Sequence, residues 1–284
     1  MANGVIIRRN VDFMDAQQLA DVRDAYAQMM AISATDNRSW MYWAGLHGYP
    51  NWYCWHHSRM GDGTDVLPYD LFLPWHRAFL LNFEHNLRDL NAGATLPWWD
   101  WTSSESHANG VPAAFSDAPT AARPNPLYSG PIPPIDGDPA RQTQRFPGPP
   151  NRLPTPEYVN ELLGLSGFED FSNQIQNVHD GIHGWTGGST VIDGQQVFGD
   201  MGSVPVSAFD PIFWSHHCMI DRLWYLWQLQ NGVTNIPPWY KDLVLRPFTL
   251  TVRDVLDIRM LGYEYASSSA EVVLGAPAAA AAPH

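Results

Sequence analysis

The chain has 284 residues, 45% of them hydrophobic, and a formal net charge of −13. That length and apolar content suffice for one large buried core, whereas so acidic a surface repels phosphate backbones and argues against nucleic-acid binding. No apolar run approaches a membrane span and no charged-then-apolar leader opens the chain, so cytoplasmic residence is the default expectation; two cysteines, Cys54 and Cys218, cannot build a disulfide framework.

In chain order, residues 15–33 place Leu19, Val22, Tyr26, Met29 and Met30 at helical spacing. Residues 40–57 are dense in Trp, Tyr and His, and Gly48 and Pro50 bar a long helix there. Phe79, Leu80, Phe83 and Leu87 predict a helix over 74–90 with Pro74 in its first turn. His85, nine residues after His76 on that helix, faces about 180° away from it. Residues 97–101, Pro-Trp-Trp-Asp-Trp, turn the chain. Thirteen of the 24 prolines then fall between Pro112 and Pro156. They predict a long connection of little regular structure, wrapped over a helical core; such loops are often functional. Helical pattern returns over about 157–184, and glycines at 187, 188, 194, 199 and 202 predict turns and a short hairpin. A second strong helix spans about 211–230, with Ile220, Leu223, Trp224 and Trp227 on one face. The Ala/Pro-rich tail over 266–284 is expected to be disordered. The fold class read from this pattern is mainly α, a helix bundle with long loops and a few short strands, as one domain over 1–265.

Six histidines in two groups of three carry the chemistry: His47, His56 and His76, then His179, His183 and His217. Three neutral imidazoles suit a late first-row metal, and two triads predict two metals facing each other. Trp75, Trp98, Trp99, Trp101, Trp185 and Trp214 lie beside the histidines in sequence and predict a dry aromatic shell. His179-Asp-Gly-Ile-His183 puts two imidazoles on one helix face, i to i+4. A zincin carries glutamate directly after the first histidine, where this chain has Asp180; a di-iron bundle uses Glu-x-x-His pairs, and none aligns with these histidines. Asp210 is placed to cap the helix that Pro211 begins. Asp221, four residues after His217, is placed to accept that ring's second N–H and aim the other nitrogen at metal. Cys54-Trp-His56 sets a thiol two residues before a histidine, either as a small apolar filler or as a thiol oxidised onto the His56 ring beside an oxygen-activating metal.

Phe72-Leu-Pro-Trp-His-Arg-Ala-Phe-Leu-Leu-Asn-Phe-Glu84, His179-x-x-x-His183 and Asp210-Pro-Ile-Phe-Trp-Ser-His-His-Cys-Met-Ile-Asp-Arg-Leu-Trp224 together resemble the tyrosinase / polyphenol oxidase family of type 3 dinuclear copper proteins, over about 40–265. The resemblance implies a four-helix-bundle core holding copper A through His47, His56 and His76, and copper B through His179, His183 and His217. O2 is the implied co-substrate, and His216 lies beside the site without binding copper. Cys54–His56 is similar to the Cys-x-His thioether of fungal members and molluscan hemocyanins. Tyr263-Glu-Tyr265 is similar to the family's closing Tyr-x-Tyr motif, whose partner is an N-terminal arginine, here Arg8 or Arg9. The stretch between His56 and His76 is longer than the family norm, which leaves His57 as a rival to His56. Asp180 stands where many tyrosinases carry Asn, with Glu169, Asp170 and Gln176 upstream.

The implied activity is ortho-hydroxylation of monophenols and oxidation of o-diphenols to o-quinones. A phenol would stack over His183 beside Gly184, with Val204 or Val206 bordering the entry. Asp180 would take the phenolic proton, while His216 and Asp221 complete the surrounding catalytic set. A catechol or o-aminophenol oxidase without hydroxylase activity is the alternative. A hemocyanin-like O2 carrier is a second, and it needs a plugging domain for which this chain ends too soon. A dizinc hydrolase would want bridging carboxylates. The expected partners are a small phenolic substrate and a copper chaperone, with neither nucleic acid nor membrane; the oligomeric state stays open.

Overall fold

A computed structural model describes residues 4–54 and 71–266. His56, His57, the His56 end of the Cys54–His56 link and the tail from 267 onward lie outside the described residues.

Strand β1 (Ile6–Arg8) leads into helices α1 (Ala16–Ala31), α2 (Trp40–His47) and α3 (Phe72–Leu90). Asp15 and Gln18 close a capping box at the start of α1. Helix α2 stops at His47 because Gly48 leaves helical geometry and Pro50 cannot continue it. Gly48 also permits a close approach: a Cβ there would sit 2.5 Å from the Pro205 carbonyl oxygen. The end of α2, and His47 with it, thereby abuts the 204–207 turn.

The proline-rich connection contains α4 (Ser104–Asn109), α5 (Ala113–Ser116) and an antiparallel pair, β2 (Pro131–Ile132) with β3 (Arg141–Gln142). It is fastened to the core by polar links: Arg145 pairs with Asp210 at 3.0 Å, and the Phe146 and Gly148 N–H groups donate to the Gly187 and Trp185 carbonyls, each at 2.8 Å. The single helical segment expected over 157–184 is two helices, α6 (Pro156–Leu163) and α7 (Phe168–Gly187). Gly164 and Gly167 bracket the break, since glycine favours leaving a helix over extending it. The hairpin β4 (Ser189–Ile192) and β5 (Gln195–Phe198) turns through Asp193 and Gly194, both at positive φ, as a two-residue primed turn requires. Helices α8 (Val204–Ser207) and α9 (Pro211–Asn231) follow, and β6 (Tyr263–Tyr265) returns parallel to β1.

Helix α9 is buried on every face from Pro211 to Trp224, which makes it the central pillar. Helices α3 and α6 pack on it and α1 packs on α3, while α7 and α2 meet it through their histidines, His179 against His217 and His47 against Phe213. Phe83 stacks on Trp214 with ring centroids 3.4 Å apart, and Phe79 tilts against the same indole at 4.6 Å. These aromatic contacts lock α3 to α9 just below the level of the histidines. The fold is mainly α, as the sequence pattern predicts. Among the described residues no helix is long and apolar enough to cross a membrane.

Candidate metal centre

Each histidine is delivered by a rigid element. His47 ends α2, His76 lies in the second turn of α3, His179 and His183 stand one turn apart on α7, and His216 and His217 occupy the second turn of α9. They form two groups of candidate ligand atoms: His179, His183, His216 and His217 in one, and His47, Cys54 and His76 in the other, with the atoms of each group within 4.8 Å of one another. The groups share a wall, for the His76 and His217 rings stack with centroids 4.3 Å apart. Cys54 joins the second group with its Sγ 3.6 Å from His76 Nε2.

Outer hydrogen bonds set the tautomers. The Nδ1–H of His76 donates to the Phe72 carbonyl at 2.8 Å, that of His183 to the Met201 carbonyl at 2.8 Å, and that of His179 to the Asp180 carboxylate at 2.9 Å. In each ring Nε2 then carries the lone pair. The Nε2 atoms of His179 and His183 lie 3.1 Å and 3.3 Å from His217 Nε2. Nitrogen donors about 2.0–2.1 Å from a shared ion stand roughly 3.3 Å apart in tetrahedral geometry, so His217 already stands at one-metal spacing from both His179 and His183. Burial pushes His76 down to about 3 and His183 down to about 4, the latter opposed by its bond to Met201. His217 is held well below the usual histidine range, first by burial and then by the neighbouring imidazoles. His76, His183 and His217 are therefore kept neutral, which a metal requires. An all-imidazole trio beside a second imidazole and thiol group fits copper, and no carboxylate sits in either group.

His216 stacks on His179 with centroids 5.2 Å apart, and among the described residues neither of its ring nitrogens has a hydrogen-bond partner. Burial also pushes it well below the usual range, and the neighbouring His183 imidazole adds to this.

Asp221 does not orient His217. Its carboxylate accepts from Arg77 Nε at 2.5 Å, Tyr265 Oη at 2.6 Å, Tyr263 Oη at 2.7 Å and Arg8 Nη1 at 3.3 Å, while His217 Nδ1 has no hydrogen-bond partner among the described residues. Two arginines and two phenols outcompete an imidazole N–H on electrostatic grounds. Burial alone would raise the Asp221 pKa, but Arg77 and Arg8 hold it below the ordinary carboxylate range. Of the two candidate N-terminal arginines, Arg8 meets the Tyr-x-Tyr segment: it donates to Tyr265 Oη at 3.0 Å, lies over the Tyr263 ring at 3.8 Å and pairs with Glu84 at 2.8 Å.

A cavity of about 230 Å³ opens on the histidines, lined by His47, His179, Asp180, His183, Gly184, Met201, Gly202, Val204 and Ser207. Val204 is 49% exposed at its rim, whereas Val206 is 8% exposed and does not line it. The short α8 helix turns Val206 inward, so of the pair only Val204 lines the cavity. Sequence reasoning missed Phe213, whose ring lies 4.1 Å from that of His217 and 4.7 Å from that of His47. It also missed the carbonyls of Phe72 and Met201, for which a side-chain pattern carries no signal.

A mainly α bundle that brings two histidine groups together behind an open cavity defines a dinuclear metal protein. Residues 37–230 match the common central domain of tyrosinase. The chain is 33% identical to a tyrosinase of Streptomyces antibioticus over 185 residues, which cover 56% of this chain and 63% of that protein. It is 31% identical to Hemocyanin 2 of Megathura crenulata over 230 residues, covering 78% of this chain and 6% of that one. The chain thus spans less than two thirds of these relatives' own length. A tyrosinase from Burkholderia thailandensis superposes with a TM-score of 0.75 at 22% identity, covering 94% of this chain and 75% of that one. A functional unit of octopus hemocyanin does so at 0.70 and 25% identity, covering 92% and 68%. The chain belongs to the tyrosinase family of type 3 copper proteins.

Proposed function

We propose that this protein oxidises small phenols with O2, hydroxylating monophenols ortho to the hydroxyl and converting o-diphenols to o-quinones. The observation that carries the reading is the cavity that reaches both histidine groups, with His47 on one side and His179 and His183 on the other. Its volume, about 230 Å³, is below the roughly 300–1,000 Å³ of sites that enclose drug-sized ligands and suits a single aromatic ring.

A bound copper pair supplies the redox chemistry with O2 as co-substrate. His183, fixed by the Met201 carbonyl, offers its ring as the platform on which a phenol stacks. Gly184 leaves the neighbouring space open, since a Cβ there would meet nothing within 4 Å. Val204 forms an apolar lip at the mouth. Asp180, half exposed among the lining residues, is the carboxylate placed to accept the phenolic proton while it steadies His179. The buried Trp75 indole, 4.9 Å from the His76 ring and 6.3 Å from that of His47, keeps bulk water from that side.

The hemocyanin relatives support a second reading, reversible O2 carriage without substrate oxidation. A catechol or o-aminophenol oxidase is the third. Oxygen uptake by the copper-loaded protein with tyrosine, a catechol and an o-aminophenol in parallel separates them. Uptake with tyrosine and catechol is the expected result, and O2 binding without consumption of any of the three overturns the enzymatic reading.

A further inference from the structure

The proline-rich connection delivers Arg141, at the start of β3, to the metal side of the molecule. Its Nη1 and Nη2 donate to the two carboxylate oxygens of Asp200 at 2.7 Å and 2.6 Å. The same carboxylate accepts from the Gln144 N–H at 2.8 Å, and the Asp200 N–H donates back to the Gln144 carbonyl at 2.8 Å. Asp200 opens a single 3₁₀ turn, Asp200–Gly202, a kind of element too short to be rigid by itself. The next residue, Met201, offers the carbonyl that receives the His183 Nδ1–H at 2.8 Å, and Met201 and Gly202 also form part of the cavity wall.

We propose that the Arg141–Asp200 pair is a positioning device for the metal ligand His183: it fixes the Met201 carbonyl, which in turn fixes the tautomer and aim of the His183 ring. Bidentate pairing supplies the directionality, and with the Asp200 side chain only 5% exposed the carboxylate has few other partners to turn to. The inference rests on the copper centre and stands whichever substrate is oxidised.

Loss of a partner that orients a metal-bound histidine typically weakens metal binding about 10–100-fold. Arg141 acts one step further out, so Arg141→Met is expected near the lower end, about tenfold. The test titrates copper from the full-length protein with a competing chelator and follows exchange of the His183 Nδ1–H by NMR in the copper-free protein. Arg253→Met, which removes the exposed Arg253–Asp242 pair, is the control. In Arg141→Met one copper should leave about tenfold more readily and the other as in the parent. The His183 proton should exchange faster, and although the thermal midpoint should fall further than in the control, because buried Asp200 loses its counterion, the second copper should be held as in the parent. Arg141→Lys should restore only part of the affinity, because an ammonium cannot reproduce the two-pronged contact. If Arg141→Met does not fold, Asp200→Asn, which keeps the size and weakens the pairing, should show the same one-site loss. Unchanged affinity at both sites, or equal weakening of both alongside a large drop in thermal midpoint, overturns the proposal.

Discussion

Replacing Asp221 with asparagine should destabilise the protein heavily and leave the metal site intact once folded. The carboxylate is 3% exposed and is the hub for Arg77, Arg8, Tyr263 and Tyr265. Arg8 would keep Glu84, and Arg77 would keep the Gln228 side chain and the Val255 and Leu256 carbonyls. None of those three carries a charge, so the Arg77 cation would remain buried without its counterion. Breaking a buried pair in this way costs about 3–5 kcal/mol, which lowers the thermal midpoint of a chain this size by roughly 6–20 °C. Tyr263→Phe removes one hydrogen bond to a charged acceptor, at about 1.5–3 kcal/mol, and Tyr265→Phe removes such a bond together with the one its hydroxyl accepts from Arg8. Because all act on one carboxylate, Asp221→Asn combined with Tyr265→Phe should cost less than the sum. Urea unfolding of the copper-free variants reads these values, and chelator titration of the folded Asp221→Asn protein should still find two coppers. A stability loss under about 1 kcal/mol together with loss of one copper would refute the reasoning, and would return Asp221 to the role of orienting His217.

Asp180→Ala should weaken copper binding about 10–100-fold by removing the acceptor that holds His179, whereas Asp180→Asn should bind nearly as the parent; isothermal titration of copper distinguishes them. Asp180→Asn should also shift the ratio of monophenol to diphenol turnover, and an unchanged ratio would remove Asp180 from proton transfer. His183 near 4 and His76 near 3 are depressed chiefly by burial from an ordinary value near 6.5. Between those limits the unfolded chain binds protons that the folded chain refuses. The copper-free protein should therefore be most stable above about pH 6.5 and lose stability progressively as the pH falls toward 4. Thermal midpoints at pH 7, 6 and 5 should descend in that order, and a flat or rising series would contradict the burial of neutral imidazoles.

Much of the site was legible because its chemistry is written in side chains at helical spacing. His179 and His183 fall one turn apart on α7, and Asp210 with Pro211 announces the start of α9, which the structure caps through the Ile212 N–H. The failures share one physical origin. Asp221 is one turn beyond His217, so local spacing assigned it to that ring, but Arg8 and Arg77, more than a hundred positions away in sequence, claim it with full charges. The proline-rich connection read as a featureless wrap, because nothing local shows that Arg141 and Arg145 meet Asp200 and Asp210. Likewise Met201 holds His183 through a backbone carbonyl, a group every residue possesses. The break between α6 and α7 was visible in Gly164 and Gly167, yet the apolar period on both sides bridged it.

Two copper ions are expected side by side between α2, α3, α7 and α9. Crystals of the copper-loaded protein, measured on both sides of the copper absorption edge, test that placement most directly. Two anomalous peaks are predicted, one among the Nε2 atoms of His179, His183 and His217 and the other beside His47 and His76. A single peak, or peaks away from these imidazoles, would contradict it.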